Sequence, residues 1–594
     1  MKVSSNKILV RFYKWRLESI TDMQFMYILS VFTGLIVGVV AVILKNLAHF
    51  ISYVLHVWSP FGEGNFFYFL FPIIGITLAV AFMKYFVRED VKHGVPSVLY
   101  AVSMRRGRIR PHNMYSSIIT SALTVGFGGS VGLEGPSIVS GAAYGSSIAR
   151  FFRLKYKHVI LLIACASAGV MAAIFNAPIA AIVFVLEVLV LNLSMASIVP
   201  LLLSASSATL MSYFLVEQDV IFYSEIFQKI DYELIDVPSF ILLGVITGFV
   251  SVYFKRMYVY IEGLFDKIST KRVRLLVGGV VLGLCLFFFP SLYGEGYSEI
   301  NMSVRGDYSY LFDHTVFVIL RDNIFAIIFL FIAVILVKVI ATSVTFGAGG
   351  VGGVFAPSLF IGANIGFLYA VIFQHFDIYV STSVFVLLGM GGMIAGVLHA
   401  PLTGIFLIAD ITTGYSLFVP LMLVSAISFL TVRMFESHSV YTYLLARRKQ
   451  LLSHNKDKSV LTLLDINKLI ETDFMPVSIN ANLGELIEVI KVSKRNIFPV
   501  LDDEQRLHGI IKLDDIRQIM FDETQYKKID VRTLMHMPQY YFSPDDHMGD
   551  VVKAIQKTKH YNFPILKNGR YVGFISRASI FSEYRKITAY FSED

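Results

Sequence analysis

The sequence predicts an α-helical protein that crosses a membrane many times and ends in a small α/β domain pair. Three observations predict it. The 594 residues are 55% hydrophobic and only 16% charged, where soluble domains carry roughly 25% charged residues. The apolar runs are long but repeatedly interrupted by glycine and proline. After Arg447-Arg448-Lys449 the composition turns polar, and short valine- and isoleucine-rich strands alternate with amphipathic helices. The formal charge of +8 does not call for nucleic acid. Much of it flanks apolar segments, as expected where cytoplasmic lysine and arginine set orientation. The two cysteines, Cys165 and Cys285, form neither a metal spacing nor a disulfide framework and read as small core residues.

Residues 1–25 read as a cytoplasmic N-terminal segment, because Lys2, Lys7, Arg11, Lys14 and Arg16 precede the first apolar run. That run is long enough to span, and no small-residue cleavage site follows it, so it reads as a retained span. It covers 26–50, with Gly34 and Gly38 spaced for close helix packing. Apolar segments follow at 66–86, 112–127, 159–174, from Pro178 to about Leu191, and at 197–215. Lys92-His93-Gly94-Val95-Pro96 and the cluster Arg105, Arg106, Arg108 and Arg110 lie between them, the cluster assigned to the cytoplasmic side. A polar loop at 216–236 leads to segments 238–254 and 275–289, and a polar stretch covers 290–321. Further segments follow at 324–341, 356–374, 383–398, 400–413 and 417–434. Broken helices at membrane depth need protein or water around them, and in transporters they point to a substrate site.

One stretch organises the chain: Gly128-Gly129-Ser130-Val131-Gly132-Leu133-Glu134-Gly135-Pro136-Ser137. It sets a single carboxylate among glycines, just ahead of a helix start at Pro136. Free backbone N–H groups at such a start attract anions, and a charge at membrane depth is costly enough to imply a function. The stretch has a counterpart. With Pro136 against Pro357, Gly129 meets Gly350, Gly132 meets Gly353, Ser137 meets Ser358, and Glu134 falls opposite Phe355. With Pro178 against Pro401, Ala177 meets Ala400, Ile182 meets Ile405, and Glu187 meets Asp410. Two matches in the same order predict a duplicated unit of roughly 200 residues, a common transporter plan. Helix N-termini near 94, 135 and 355 would then hold an anion through backbone N–H groups, without a buried lysine or arginine that would bind it too tightly to leave. The inferred function is a pathway for a small anion.

From about 26 to 590 the chain resembles the CLC family of chloride channels and chloride/proton antiporters, with a cytoplasmic tandem CBS pair. Gly132-Leu133-Glu134-Gly135-Pro136 resembles the family's gating motif, Gly353-Val354-Phe355-Ala356-Pro357 its second anion-binding motif, and Lys92-His93-Gly94-Val95-Pro96 its first. Val440-Tyr441 before Leu444-Leu445-Ala446 resembles the end of the last membrane helix. The resemblance implies two inverted repeats, about 26–215 and 238–434, inside a membrane domain spanning 26–448, and a homodimer with one pore per subunit. It implies that Glu134 is the gating glutamate, occupying an anion position when closed and swinging away when open. His93, Gly94, Gly135, Val354, Phe355 and Tyr441 would bind chloride, the Tyr441 hydroxyl facing the central ion. His93 replaces the family's serine, and Leu133 replaces its usual basic residue. In Phe184-Val185-Leu186-Glu187-Val188, Val188 stands where antiporters often carry an inner proton-transfer glutamate. A valine relays no proton, so this favours a passive voltage- or pH-gated chloride channel in a plasma or cell inner membrane, with a chloride/proton antiporter as the alternative. Glu187 and Asp410 read as solvated carboxylates at helix ends.

The linker runs from 449 to 470, and residues 471–594 read as two copies of one unit, about 471–525 and 530–590. CBS pairs often bind adenine nucleotides. Here the Ser/Thr-x-x-Asp element is split between Lys512-Leu513-Asp514-Asp515 and Ser576-Arg577-Ala578-Ser579, so Asp515 and Ser576 are the candidate contacts and a structural dimerisation role competes with them. No catalytic residues or metal ligands are assigned. An intramembrane hydrolase would need a nucleophile paired with a base. A CBS-containing cation transporter would need clustered acidic ligands. Neither pattern stands out.

Overall fold

The computed structural model describes residues 16, 18–58, 66–88, 94–189, 197–216, 234–313, 315, 317–378, 380–412, 414–447, 464–558 and 560–592. Two compact units divide the chain, Met1–Leu451 and Leu452–Asp594.

The first unit is all helix. Its helices are α1 (Asp22–Trp58), α2 (Phe66–Phe82), α3 (Gly94–Met104), α4 (Asn113–Gly126), α5 (Glu134–Phe151), α6 (Tyr156–Phe175), α7 (Pro178–Val188) and α8 (Ile198–Leu215). There follow α9 (Val237–Asp266), α10 (Lys271–Phe288), α11 (Tyr297–Val304), α12 (Ile324–Gly347), α13 (Phe355–His375), α14 (Thr382–Leu398), α15 (Pro401–Ile411), α16 (Phe418–Phe435) and α17 (Val440–Arg447). Eight helical segments among the described residues are long and apolar enough to cross a membrane, and α3, α7, α14 and α15 are shorter apolar helices. Short helices at membrane depth leave backbone ends inside the protein, where they can meet a ligand. Gly34 and Gly38 of α1 allow the close packing expected of them. A Cβ on Gly38 would lie 2.7 Å from the Ala208 carbonyl of α8, and one on Gly34 would overlap Ser204 and Ser207.

The duplication is visible atom by atom. Gly128 and Gly349 both adopt positive φ (91° and 101°) where α4 and α12 turn into the loops before α5 and α13. Asn176 and His399 are both left-handed (φ 53° and 57°) and end α6 and α14 just before Ala-Pro. The equivalent glycines Gly132 and Gly353 pair with each other as an antiparallel bridge, through N–H···O bonds of 2.9 and 2.7 Å. A residue and its repeat counterpart that pair antiparallel are related by a local two-fold axis passing between them.

Three expectations are corrected. The polar stretch 290–321 contains the helix α11 and three short helical turns. Glu134 is the first residue of α5, with Leu133 as its cap, and does not precede the helix. Glu187 and Asp410 are not solvated ends. Glu187 accepts from the Leu402 and Thr403 N–H groups (2.9 and 2.8 Å) and the Thr403 hydroxyl (2.7 Å) at the start of α15. Asp410 accepts from the Ile179 and Ala180 N–H groups (both 3.1 Å) at the start of α7. Each short helix ends in a carboxylate that satisfies the other's orphan N–H groups, so charge and dipole hold the pair at both ends.

The second unit holds two three-stranded sheets, with strands β1 (Ile470–Glu471), β2 (Val477–Ser478), β3 (Ile497–Leu501), β4 (Leu507–Lys512), β5 (Asn562–Lys567) and β6 (Arg570–Ser576). Their orders are β1-β6-β5 and β2-β3-β4. β1 pairs antiparallel with β6, so the chain supplies the second repeat's sheet with a strand before it builds the first repeat. The main helices are α18 (Leu483–Val492), α19 (Leu513–Ile516), α20 (Val531–Leu534), α21 (Met548–Thr558) and α22 (Arg577–Ser592). Asn482 and Glu485 form a capping box that starts α18. Each repeat has its own apolar core, around Phe498 and Phe563 respectively.

Candidate functional site

Three helix starts meet at glycine. A Cβ on Gly94 would lie 3.6 Å from both the Gly135 Cα and the Gly352 carbonyl oxygen, and one on Gly135 would lie 2.9 Å from that oxygen. At Gly135 a side chain would be in the way, and at Gly94 the φ of 25° favours glycine, so the N-termini of α3, α5 and α13 come together. Beneath them a cavity of about 480 Å³ is lined by Gly94, Gly135, Val354 and Tyr441, among others. Four of the sequence-predicted anion contacts are therefore neighbours. Arg105, Arg108 and Arg110 line the same cavity, as do Tyr258 and the acidic Glu262 and Asp266. Phe355 is buried at the start of α13, its ring 5.2 Å from Phe175 and 5.9 Å from Phe184, so three aromatics from both repeats pack together beside the helix starts. Lys92 and His93 lie outside the described residues.

Glu134 is 1% exposed. Its Oε1 accepts a short hydrogen bond from the Tyr297 hydroxyl. Its Oε2 rests against Gly132 and, among the described residues, makes no hydrogen bond of acceptable geometry, although the Ala356 backbone N–H faces the carboxylate. A buried carboxylate with so few partners is costly, which is the signature of a group placed for function. Val188, the last residue of α7, is buried and brings no carboxylate.

Sequence reasoning missed the loop before α11. The Leu133 N–H donates to Glu295 (3.0 Å), the Ser130 hydroxyl donates to the Leu292 carbonyl (2.7 Å), and the Tyr293 hydroxyl donates to the Gly126 carbonyl (2.7 Å). Lys338, fully buried in α12, donates to the Leu292 and Gly294 carbonyls (3.3 and 3.2 Å). This buried cation does not line the cavity beneath the three helix starts. Lys338 spends its charge on loop carbonyls and the face of Phe360. Both features left a signal. Gly294-Glu295-Gly296 is a second glycine-flanked carboxylate, and Lys338 is a lone cation within an apolar run.

In the second unit, Asp515 lies in α19 and faces His536 (3.5 Å), while Ser576 ends β6 and donates its hydroxyl to Glu471 (2.6 Å).

A family model described as voltage gated chloride channel matches residues 75–433. The chain belongs to that family. CBS domain models match residues 465–522 and 531–586, so this CLC protein ends in two CBS domains. A relative described as an H(+)/Cl(-) exchange transporter, ClcA of Vibrio cholerae, is 28% identical over 438 residues, covering 70% of this chain and 88% of its own length. A putative chloride channel protein, ClcB-like, of Ralstonia nicotianae is 28% identical over 394 residues, covering 64% and 86%. Among solved structures, a slow cyanobacterial Cl-/H+ antiporter matches with TM-score 0.60 at 22% identity, over 74% of this chain and all of that one. A eukaryotic CLC transporter matches with TM-score 0.58 at 16% identity, over 94% of this chain and 97% of that one. The CLC fold of this multi-pass membrane protein is established on these grounds.

Proposed function

We propose that this CLC protein exchanges chloride for protons across its membrane, with Glu134 as both the gate and the outer proton carrier. The observation that carries the reading is the buried Glu134 carboxylate at the meeting of three helix N-termini. An ionised carboxylate there competes with chloride for the same backbone donors, and a protonated one does not. The exchanger relatives support coupling over the passive channel that Val188 suggests on sequence alone. Passive flow remains the second reading, favoured by the buried valine at that place and by the relative described as a putative channel.

Chloride would be held by backbone N–H groups at Gly94, Gly135, Val354 and Phe355, by the Tyr441 hydroxyl and by His93. The arginines lining the cavity support a cytoplasmic mouth there, with the N-terminal segment and the CBS pair on the same side. A homodimer in the lipid bilayer is part of the proposal. The reciprocally capped α7 and α15, carrying exposed Ile179, Leu186 and Leu402, offer a rigid apolar face for it. For the CBS pair we propose a structural role over adenine nucleotide binding, because both candidate contacts are already engaged: Ser576 by Glu471, itself paired with Arg495 (2.8 Å), and Asp515 facing His536.

The test is a reversal potential in reconstituted vesicles under a chloride gradient, with external pH recorded. Uphill proton movement at a fixed ratio to chloride is expected. Chloride flux with no proton movement would leave the channel reading. Glu134→Gln is expected to raise chloride flux and to remove both its pH dependence and its proton movement; unchanged flux and pH response would overturn the assignment of the gate.

A further inference from the structure

Glu134 is held by a residue from the other repeat. Tyr297 opens α11, and its hydroxyl donates to Glu134 Oε1. The other carboxylate oxygen makes no hydrogen bond of acceptable geometry among the described residues, although the Glu134 and Ala356 backbone N–H groups face the carboxylate, so among those residues its side-chain hold comes from one phenol. The phenol is itself fixed. Its ring packs edge-on against Phe175 (6.4 Å), which in turn touches Phe355. The preceding loop turns through Gly294 and Gly296 at positive φ. It is tied down by Lys338, Ser130 and Tyr293, and by the Leu133 N–H bond to Glu295. The Ser130, Leu133 and Tyr293 bonds fix the tyrosine's loop against the stretch that leads into Glu134, and Lys338 anchors the same loop to α12.

We propose that the Tyr297 hydroxyl is the latch that holds Glu134 across the anion path, and that breaking this one hydrogen bond is the step that frees the gate. Tyr297 is a positioning residue here, and the inference rests on the reading of Glu134 as the gate. A hydroxyl donor binds an ionised carboxylate more strongly than a neutral one. The latch therefore holds while Glu134 is charged and weakens when a proton arrives, which ties opening to protonation without an inner glutamate. Glu295, in the loop before α11, is a second buried carboxylate whose charge bears on both Glu134 and Tyr297; the other ionisable groups whose charge reaches either carboxylate are Lys45 of α1, Lys338 of α12 and Tyr441 of α17. None of them donates a hydrogen bond to the Glu134 carboxylate among the described residues.

The experiment uses the full chain in vesicles and measures chloride flux against external pH for the native protein, Tyr297→Phe, Glu134→Gln and the double variant. Losing a hydrogen bond to a charged group costs roughly tenfold or more in the latched population. Tyr297→Phe is therefore expected to raise flux about tenfold at neutral pH and to move the midpoint of acid activation up by about one pH unit. In the Glu134→Gln background the same substitution is expected to change nothing. Because the phenylalanine ring keeps its packing on Phe175, folding is expected to survive. A 3-fluorotyrosine at 297 keeps the shape with a more acidic, stronger donor, and is expected to lower flux. An unchanged pH midpoint in Tyr297→Phe, or an equal effect in the Glu134→Gln background, overturns the latch. If Glu134→Gln itself leaves flux and pH response unchanged, the failure lies with the gate assignment and not with the tyrosine.

Discussion

At the scale of single residues, what decides this site is where a side chain is missing. A Cβ on Gly132 would overlap Glu134 Oε2 and come within 2.9 Å of Ala356 Cβ. The carboxylate is flexible, so Gly132→Ala is expected to expel it and give elevated, weakly pH-dependent chloride flux. A Cβ on Gly353 would lie 2.7 Å from the backbone nitrogen of Gly135. Backbone does not yield so cheaply, so Gly353→Ala is expected to lower flux, and the two variants measured side by side separate gate from scaffold. Lys338→Met would leave the buried Gly294 carbonyl without its lysine donor, while the Leu292 carbonyl keeps the Ser130 hydroxyl, at a cost of about 1–3 kcal/mol. Its thermal midpoint in detergent is expected to fall. Glu134 was legible in the sequence because glycine, carboxylate and proline adjoin. Tyr297 was not, because its partner lies 163 residues away and no local pattern joins a tyrosine to a gate.

At the scale of elements, the α7–α15 pair is held from both ends by its own carboxylates. Capping a helix start with a charged side chain contributes about 0.5–2 kcal/mol. Glu187→Ala and Asp410→Ala are each expected to destabilise the protein by about that amount, Glu187→Ala the more because Thr403 adds a hydroxyl bond. Similar loss in both, read by thermal unfolding, is the mark of the repeat; a loss in one alone would contradict the reciprocal arrangement. The equivalence of these two residues was visible in the sequence. Their partners were not, because a helix end exposed to water and one pressed against another helix start read the same. In the CBS pair, Arg495 binds Asp473 through two bonds (2.8 and 2.9 Å) and holds its carboxyl below the usual range. A carboxyl so depressed stabilises the fold above its unfolded value, about 3.9, and loses that contribution as pH falls through its folded value. Amide exchange around β1 and β3 is expected to rise below about pH 4, and Asp473→Asn is expected to flatten that response.

At the scale of the whole molecule, each of the two units has a hydrophobic core of its own. A chain ending at Leu451 is expected to keep its helical content and Glu134-dependent flux; a collapse of both would contradict this. The fold class and the duplication were legible because broken apolar runs and two matched motifs are sequence patterns. The inversion was not, because similarity of residues carries no direction in space. The Gly132–Gly353 bridge adds the two-fold axis between the repeats, and the inversion comes with the CLC fold.

That bridge also bears on how the protein comes into being. The first half of the chain is synthesised and inserted with Glu134 already in it, but Tyr297, Lys338, Gly353 and Tyr441 are still to be made. A nascent first repeat thus carries the Glu134 carboxylate with neither the Tyr297 hydroxyl nor the Gly353 backbone beside it. The glycine bridge and the meeting of the three helix starts form only once the second repeat lies against the first, so the proposed anion path takes shape only when translation of the membrane unit is nearly finished.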